Sequence, residues 1–476
     1  MPDAPRRVPW AAIALVTVAA AALRIPFLGN QSLWYDETFT RAIVTMPSLG
    51  DVWHGVKATE GTPPLYYLVT WAWAKLFGVG SDAALRATAG IAGVAAAPAA
   101  FAALRRFTGG RSALATAAIV AASPMLVWYS LDARAYSLLV LLALVSIWAL
   151  ALLLEAPSRR RWIAWALAAA AALWTHYFAA FLVVAEVAVL LWRLPAERVR
   201  TIAWSALVAT LALPLLPVLS AQGDTRTDHI GSLALGDRLE QTGRQLAMGP
   251  NVPRAWLEGL GILLIAGGAL AGVVATRRAT RLRVPLALAA IAVVLPLLLS
   301  ITDVEDRLLA RNMLIAFPAL AALAAVGLLR LRGIPLALYL AFAVAAILWV
   351  EGDWRYQNAD WRGAAEALPA RAGGAPVAAF PALDRSIASI YLHRRGVPGP
   401  IRSDRIWLVV APARIDRRDL TPVRVEPSVP PDFVRTGIRR HHGFQLIELR
   451  HPGPAAFLPQ AFGHDLLGDP PALLVR

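Results

Sequence analysis

"GTPPLYYLVTWAWAKLFG", residues 61–78, is apolar enough to pass for a membrane span, and its reading decides the topology of the whole chain. A span needs about 20 apolar residues, whereas this run is short and carries Lys75 near its end. Read as a span, it puts Arg105, Arg106 and Arg111 on the outer side. Read as an interfacial helix, rich in Trp and Tyr as such helices are, it puts them inside. The later basic clusters then fall inside as well: Arg159–Arg161; Arg193, Arg198 and Arg200; Arg277, Arg278, Arg281 and Arg283; Arg330 and Arg332. The interfacial reading makes every cluster agree with the positive-inside rule. It predicts a cytoplasmic amino terminus and an outer carboxy-terminal region.

Composition agrees with a membrane fold. The 476 residues are 58% hydrophobic and 16% charged, with mean hydropathy +0.56, against roughly 25% charged residues in a soluble domain. A net charge of +15 would suit nucleic acid, but the arginines sit at the ends of apolar segments, so no nucleic-acid partner is expected. The absence of cysteine excludes disulfides, thiol nucleophiles and Cys-ligated metals. Eleven spans are predicted, at 8–27, 83–104, 112–131, 135–154, 162–176, 178–192, 202–221, 255–275, 284–301, 312–329 and 334–350. The pair within 162–192 is short for two helices. The first segment, behind Arg6 and Arg7, reads as an uncleaved helix rather than a signal peptide.

The expected fold class is thus an all-α polytopic protein of the plasma (inner) membrane with a small extracytoplasmic α/β domain. The membrane module takes 1–350, with a first outer loop at 28–82, and the outer domain takes 351–476. Within that domain, "NADWRGAAEALPAR" places Trp361, Ala365 and Leu368 on one helical stripe. "PVAAF", "RIWLVVA" and "GFQLIELR" read as strands, "DRSIASIYLHRR" as a helix, and 452–476 as a flexible tail.

Polar residues gather at the outer boundary. In "QSLWYDETFTR" (31–41), Asp36 and Glu37 follow Trp34 and Tyr35. Adjacent residues diverge on a helix, so the two carboxylates do not share a proton. One can act on a substrate while the other orients it, and partial desolvation among aromatics raises carboxylate basicity. The plain alternative is that they start a helix, where acids suit the positive end. "VWYSLDARAYSLL" (127–139) opens a span with Asp132 and Arg134. An arginine at that depth needs a carboxylate such as Asp132 or a bound anion such as a lipid phosphate. In "TDVEDRLLARNMLIAFPAL" (302–320), Arg307 and Arg311 share a helix face, as a second phosphate clamp or as partners of Asp303, Glu305 or Asp306. Tyr66 and Tyr67, beside the Pro63–Pro64 pair, are candidates to line a lipid or sugar groove, and His176 in "LWTHYFAAF" to contact substrate. Glu186, inside a span, is left as a helix-pairing acid. A lone histidine supports a metal site only weakly, so no cofactor is assigned and a divalent metal is left open.

Taken in order, "LWYDE", "PPLYYLVTWAWAKLFG" with "ALR", "RRFTGGR", "SPMLVWYSLDARAYSL", "THYF", "RLLARNMLIAFPAL" and "DWRGAAEAL" resemble the polytopic GT-C glycosyltransferases. The branch is that of the protein O-mannosyltransferases (glycosyltransferase family 39) and the aminoarabinose transferases of lipid A. The resemblance covers about residues 20–370. It implies a sugar donor carried on a polyprenyl phosphate and an inverting transfer at the extracytoplasmic face, to a protein, lipid or glycan acceptor. It makes Asp36 the catalytic base and Glu37 its support. Arg134, with Arg307 or Arg311, would hold the donor phosphate as leaving group. Many relatives have a His immediately before the Pro-Pro pair, where this chain has Thr62. A lipid-linked sugar flippase and a non-catalytic envelope assembly factor are the competing classes. Flippases favour internal repeats and midplane breaks, while this chain concentrates its polar residues at one face.

Overall fold

The structure is a computed structural model describing residues 8–222, 234–302, 308–369, 372–411, 426–465 and 469–476. It divides into two compact units, one of residues 1–28 and 40–348 and the other of residues 29–39 and 349–476.

The first unit is helical. Its elements are α1 (Trp10–Ala22), α2 (Tyr35–Val44, whose first five residues belong to the second unit), α3 (Leu49–Thr59), α4 (Leu65–Phe77), α5 (Asp82–Thr108), α6 (Gly110–Ala122) and α7 (Pro124–Ser130). There follow α8 (Tyr136–Glu155), α9 (Arg159–Thr175), α10 (Ala179–Arg193), α11 (Arg198–Ala212) and α12 (Leu216–Gln222). The rest are α13 (Leu235–Met248), α14 (Ala255–Ala275), α15 (Arg283–Ile301), α16 (Phe317–Leu328) and α17 (Ile334–Gly352, whose last four residues belong to the second unit). Among the described residues, seven helical segments are long and apolar enough to cross a membrane, and α6 with α7 forms an eighth bent by 52°. The run at 63–78 is the 13-residue α4, shorter than a span. The doubtful 162–192 segment resolves into α9 and α10, of 17 and 15 residues, turning at His176.

The α6–α7 bend has local causes. Pro124 lacks the N–H that would continue α6, and Ser123 Oγ accepts from Leu126 N at 3.4 Å to start α7. Carbonyls freed at the end of α6 then need donors. Arg24, wholly buried after α1, supplies them: it donates to Ala121 O at 2.7 Å, Val120 O at 3.3 Å and Ser130 Oγ at 3.0 Å.

Close approach of α14 and α16 explains the small residues in "GGALAG". A Cβ added at Gly272 would lie 2.1 Å from Leu323 O, and one at Gly327 would lie 2.0 Å from Gly268 O. The obstacles are backbone atoms, so no side-chain rotation relieves them. Small residues let membrane helices meet at the backbone in this way. Gly272→Leu is expected to separate the two helices and lower the melting temperature in detergent, a larger loss than the ~1–3 kcal/mol typical of core overpacking. Gly267→Leu, with open space at its Cβ, is the control and should leave melting unchanged.

The second unit carries a six-stranded mixed sheet. Its strands are β1 (Val377–Phe380), β2 (Arg395–Val397), β3 (Ile401–Val410), β4 (Val434–Arg440), β5 (Gln445–Phe457) and β6 (Ala472–Val475), in the order β2-β6-β1-β3-β5-β4. Alternation along the strands buries both faces. Val377, Ala379, Trp407, Val409, Leu446 and Leu474 pack on one side with Trp361 of α18 (Trp361–Ala367) and Ile387 of α19 (Arg385–Leu392). Ala378, Phe380, Ile406, Leu408, Ile447 and Leu473 pack on the other with Phe433, Phe457 and Phe462. The three predicted strands and the predicted helix at 384–395 are present.

Two expectations for this unit need correction. Residues 472–475 of the supposed tail form β6 inside the sheet, hydrogen-bonded to β1 and β2, because Leu473 and Leu474 supply one apolar side chain to each face. The buried stripe of α18 is Trp361 with Ala364, not Ala365, since the short helix turns inward only over its first turn.

Candidate active site

The sequence-predicted residues fall in both units. In the second, Trp34 precedes α2 and Asp36 and Glu37 occupy its first turn. Glu37 is fully buried, and its Oε2 accepts from Trp34 N at 3.2 Å while Glu37 N donates to Trp34 O at 3.1 Å. This reciprocal cap satisfies helix-start donors that would otherwise be orphaned. Tyr35 and Phe39 meet edge-to-face at 5.0 Å one turn apart. Asp36 is half-buried on the same turn. The two adjacent acids therefore differ in environment: one is enclosed and holds the backbone, the other keeps access to solvent.

In the first unit, Arg134 pairs in two-pronged fashion with Glu60, Nη1 to Oε1 at 2.9 Å and Nη2 to Oε2 at 2.7 Å, both side chains being buried. Its Nη1 is also 3.5 Å from Thr40 Oγ1, and the guanidinium lies 5.9 Å from the centre of the Tyr67 ring. Such a fork fixes the plane of the guanidinium. Asp132 is buried two residues earlier, with its carbonyl accepting from Arg134 N at 2.7 Å. Tyr66 and Tyr67, expected to line a groove, are instead wholly enclosed, their rings edge-to-face at 5.5 Å. Packing of Ile43, Val52, Val56 and Ala89 around them accounts for the difference. The Tyr67 hydroxyl bonds Thr62 Oγ1 at 3.0 Å.

His176 ends α9, buried, with Tyr136 of α8 at 6.0 Å between ring centres. Its Nδ1 accepts from Phe178 N at 3.2 Å, so a neutral ring carries its proton on Nε2. Next to it, Tyr177 Oη donates to Gln222 Oε1 at 2.8 Å, and Gln222 Nε2 donates to Thr62 O at 3.1 Å. These bonds stitch the His176 turn to the loop before α4. Arg311 is half-buried just before the 3₁₀ turn Asn312–Ala316 that leads into α16. Arg307, Asp303, Glu305 and Asp306 lie outside the described residues.

Glu60, Thr40 and Gln222 were not singled out by sequence reasoning. Glu60 is one acid among many in the outer loops, and only folding brings it to Arg134, 74 residues away. Its position two residues before Thr62-Pro63-Pro64 is the sole signal the chain offers. No group of three or more His, Asp or Glu side chains is placed to hold a metal among the described residues.

In the second unit, Asp384 accepts from Trp361 Nε1 at 2.8 Å. Burial pushes its carboxyl up to about 6, with the Trp361 bond acting in the opposite direction. An acid raised above its unfolded value binds more protons when folded, so its contribution to stability falls as pH rises from about 4 to about 6 and is flat above. Asp384→Asn, which keeps an acceptor for Trp361, is expected to remove that fall. The check is the difference in melting temperature between wild type and variant at pH 4 to 7, which should favour the variant increasingly up to about pH 6.

Comparison with solved structures identifies the fold. ArnT from Cupriavidus metallidurans in the apo state is 16% identical and matches over 93% of this chain and 98% of its own, with a TM-score of 0.55. The same protein bound to undecaprenyl phosphate is 15% identical, matching over 92% and 98%, with a TM-score of 0.55. The chain is a multi-pass membrane protein with an ArnT-like fold. More particularly, residues 61–220 match the profile of the dolichyl-phosphate-mannose-protein mannosyltransferase family. That segment holds Thr62, Tyr66, Tyr67, Asp132, Arg134 and His176, while Asp36, Glu37, Glu60 and Arg311 fall outside it. No curated protein matches the sequence.

Proposed function

We propose that the protein is an inverting membrane glycosyltransferase that moves a sugar from a polyprenyl-phosphate carrier to an acceptor hydroxyl. The observation that carries this is the mannosyltransferase-type segment at 61–220, set within an ArnT-like fold spanning 93% of the chain. That fold is known with undecaprenyl phosphate bound. The distribution of basic clusters supports a reaction at the extracytoplasmic face, with the amino terminus inside.

Asp36 acts as general base. Its carboxylate takes the acceptor proton as the acceptor oxygen attacks the anomeric carbon, and the bond from that carbon to the phosphate oxygen breaks. The electron pair leaves with the polyprenyl phosphate. Glu37, capping α2, holds the turn that carries Asp36. Arg134 and Arg311 stabilise the negative charge on the leaving phosphate, with Arg307 as an alternative partner. Electrostatic stabilisation of this kind is strong in a water-poor site. Glu60 sets the plane of Arg134, so that the guanidinium meets the phosphate in a fixed orientation. His176 contacts substrate through the Nε2 edge.

The test uses protein reconstituted in liposomes with a defined polyprenyl-phosphate sugar. Arg134→Lys keeps the charge and loses the fork. It is expected to raise the KM for donor and lower kcat, leaving the KM for acceptor unchanged. Unchanged donor kinetics would remove Arg134 from the site.

A further inference from the structure

The second unit encloses a cavity of about 580 Å³ that the proposed chemistry does not use. This is within the usual range for small-molecule sites. One wall is the segment 30–35, which runs directly into Asp36, and the remainder comes from residues 354–363, Glu366, α19 with the turn before it, Gly443 and Asp465. The wall is anchored before any ligand arrives. Leu33 N donates to Tyr391 Oη at 2.8 Å, Arg362 N to Ser32 Oγ at 3.1 Å and Asn358 N to Gln31 Oε1 at 3.1 Å. Such pre-organisation lowers the entropic cost of binding.

Its chemistry selects against anions. Four carboxylates line it, Asp360, Glu366, Asp384 and Asp465, against two cations, Arg355 and Arg362. Cations and acids are both engaged within the unit: Arg355 pairs with Asp353 at 2.6 Å and Arg362 Nη2 donates to Gly29 O at 2.8 Å, while Asp360 accepts from Gly363 N, Asp384 from Trp361 Nε1 and Asp465 from Ala382 N. A lipid phosphate would meet net repulsion here. Trp34, Tyr35 and Trp354 are each partly exposed and line the cavity. Amides and carboxylates beside aromatic faces suit a molecule whose C–H faces pack on rings and whose hydroxyls donate to oxygens.

We infer that this cavity is the acceptor subsite and that the acceptor is a neutral glycan. This rests on the transferase reading and adds the acceptor's class. A sugar chain seated against Trp34 and Tyr35 lies one position along the chain from Asp36, which does not itself line the cavity, so a further sugar of that chain must extend past Tyr35 to bring a hydroxyl to the base. The carboxylate-rich lining keeps the phosphate-bearing donor out of the acceptor's place.

The experiment uses the full chain in lipid nanodiscs, followed by isothermal titration and saturation-transfer NMR. Probes are neutral tetrasaccharides of glucose, mannose, galactose and arabinose, a Ser/Thr octapeptide, and undecaprenyl phosphate. At least one tetrasaccharide should bind, and Trp354→Ala should weaken it about tenfold or more, the scale of an aromatic hot spot. Leu383→Trp, at an exposed lining position, narrows the cavity and should weaken binding without a folding defect. Failure of all four tetrasaccharides, binding indifferent to both variants, or binding of the peptide alone would overturn the inference. The two readings separate through Asp36→Asn. Asp36-dependent transfer without saccharide binding refutes the subsite alone. Saccharide binding with normal transfer by Asp36→Asn refutes Asp36 as the base alone, and saccharide binding with no transfer by the wild type refutes the transferase reading alone.

Discussion

Asp36→Asn is expected to insert and fold normally yet lose sugar transfer by ~10²–10⁴-fold, the usual contribution of a positioned general base. The amide matches the carboxylate in size but cannot take a proton. Because Asp36 is half-buried on the first turn of α2, the exchange disturbs little packing. Glu37→Gln should behave differently. Its amide oxygen still accepts from Trp34 N, so the cap survives, whereas Glu37→Ala removes it at a cost of ~0.5–2 kcal/mol. Glu37 is thus a positioning residue. Loss of kcat at Glu37→Ala with rescue at Glu37→Gln is the predicted signature, and a failed rescue would argue for direct chemistry by its charge. Transfer assays and melting curves on the three variants separate these outcomes.

The largest stability effect is expected at the Glu60–Arg134 pair. Both side chains are buried and joined by two bonds of 2.9 and 2.7 Å. Removing one partner strands the other charge, and such losses run to ~3–5 kcal/mol. Glu60→Leu and Arg134→Leu should each melt well below wild type. The double variant should recover much of the loss, because replacing a buried pair by apolar groups is often close to neutral. A double-mutant cycle in detergent reads the coupling directly. Additive losses would mean that the two residues act independently. The double variant should still be inactive if Arg134 serves the donor phosphate, which separates folding from chemistry.

Periodicity made the helices and the central strands legible, since apolar runs of span length and the "PVAAF" and "RIWLVVA" segments allow little else. The fate of residues 472–475 was not legible. "ALLV" is too short to declare itself a strand, and its place between β2 and β1 depends on partners far away in sequence. The candidate site divides in the same way. Motif residues such as Arg134 and His176 stood out because a charge or a lone imidazole at a membrane boundary needs a reason. Glu60 did not stand out, because an acid in an outer loop needs none, and only the folded chain gives it a partner. The enclosure of Tyr66 and Tyr67 was hidden for a related cause: aromatic residues near an interface read the same whether they face a groove or a core.

The most direct measurement follows both products from liposomes containing the wild-type protein, a polyprenyl-phosphate sugar of known anomeric configuration and a soluble acceptor. A transferase of the proposed kind releases one polyprenyl phosphate per sugar moved and delivers that sugar with inverted configuration. Lipid-linked sugar that crosses to the opposite leaflet intact, with no polyprenyl phosphate released, would contradict it.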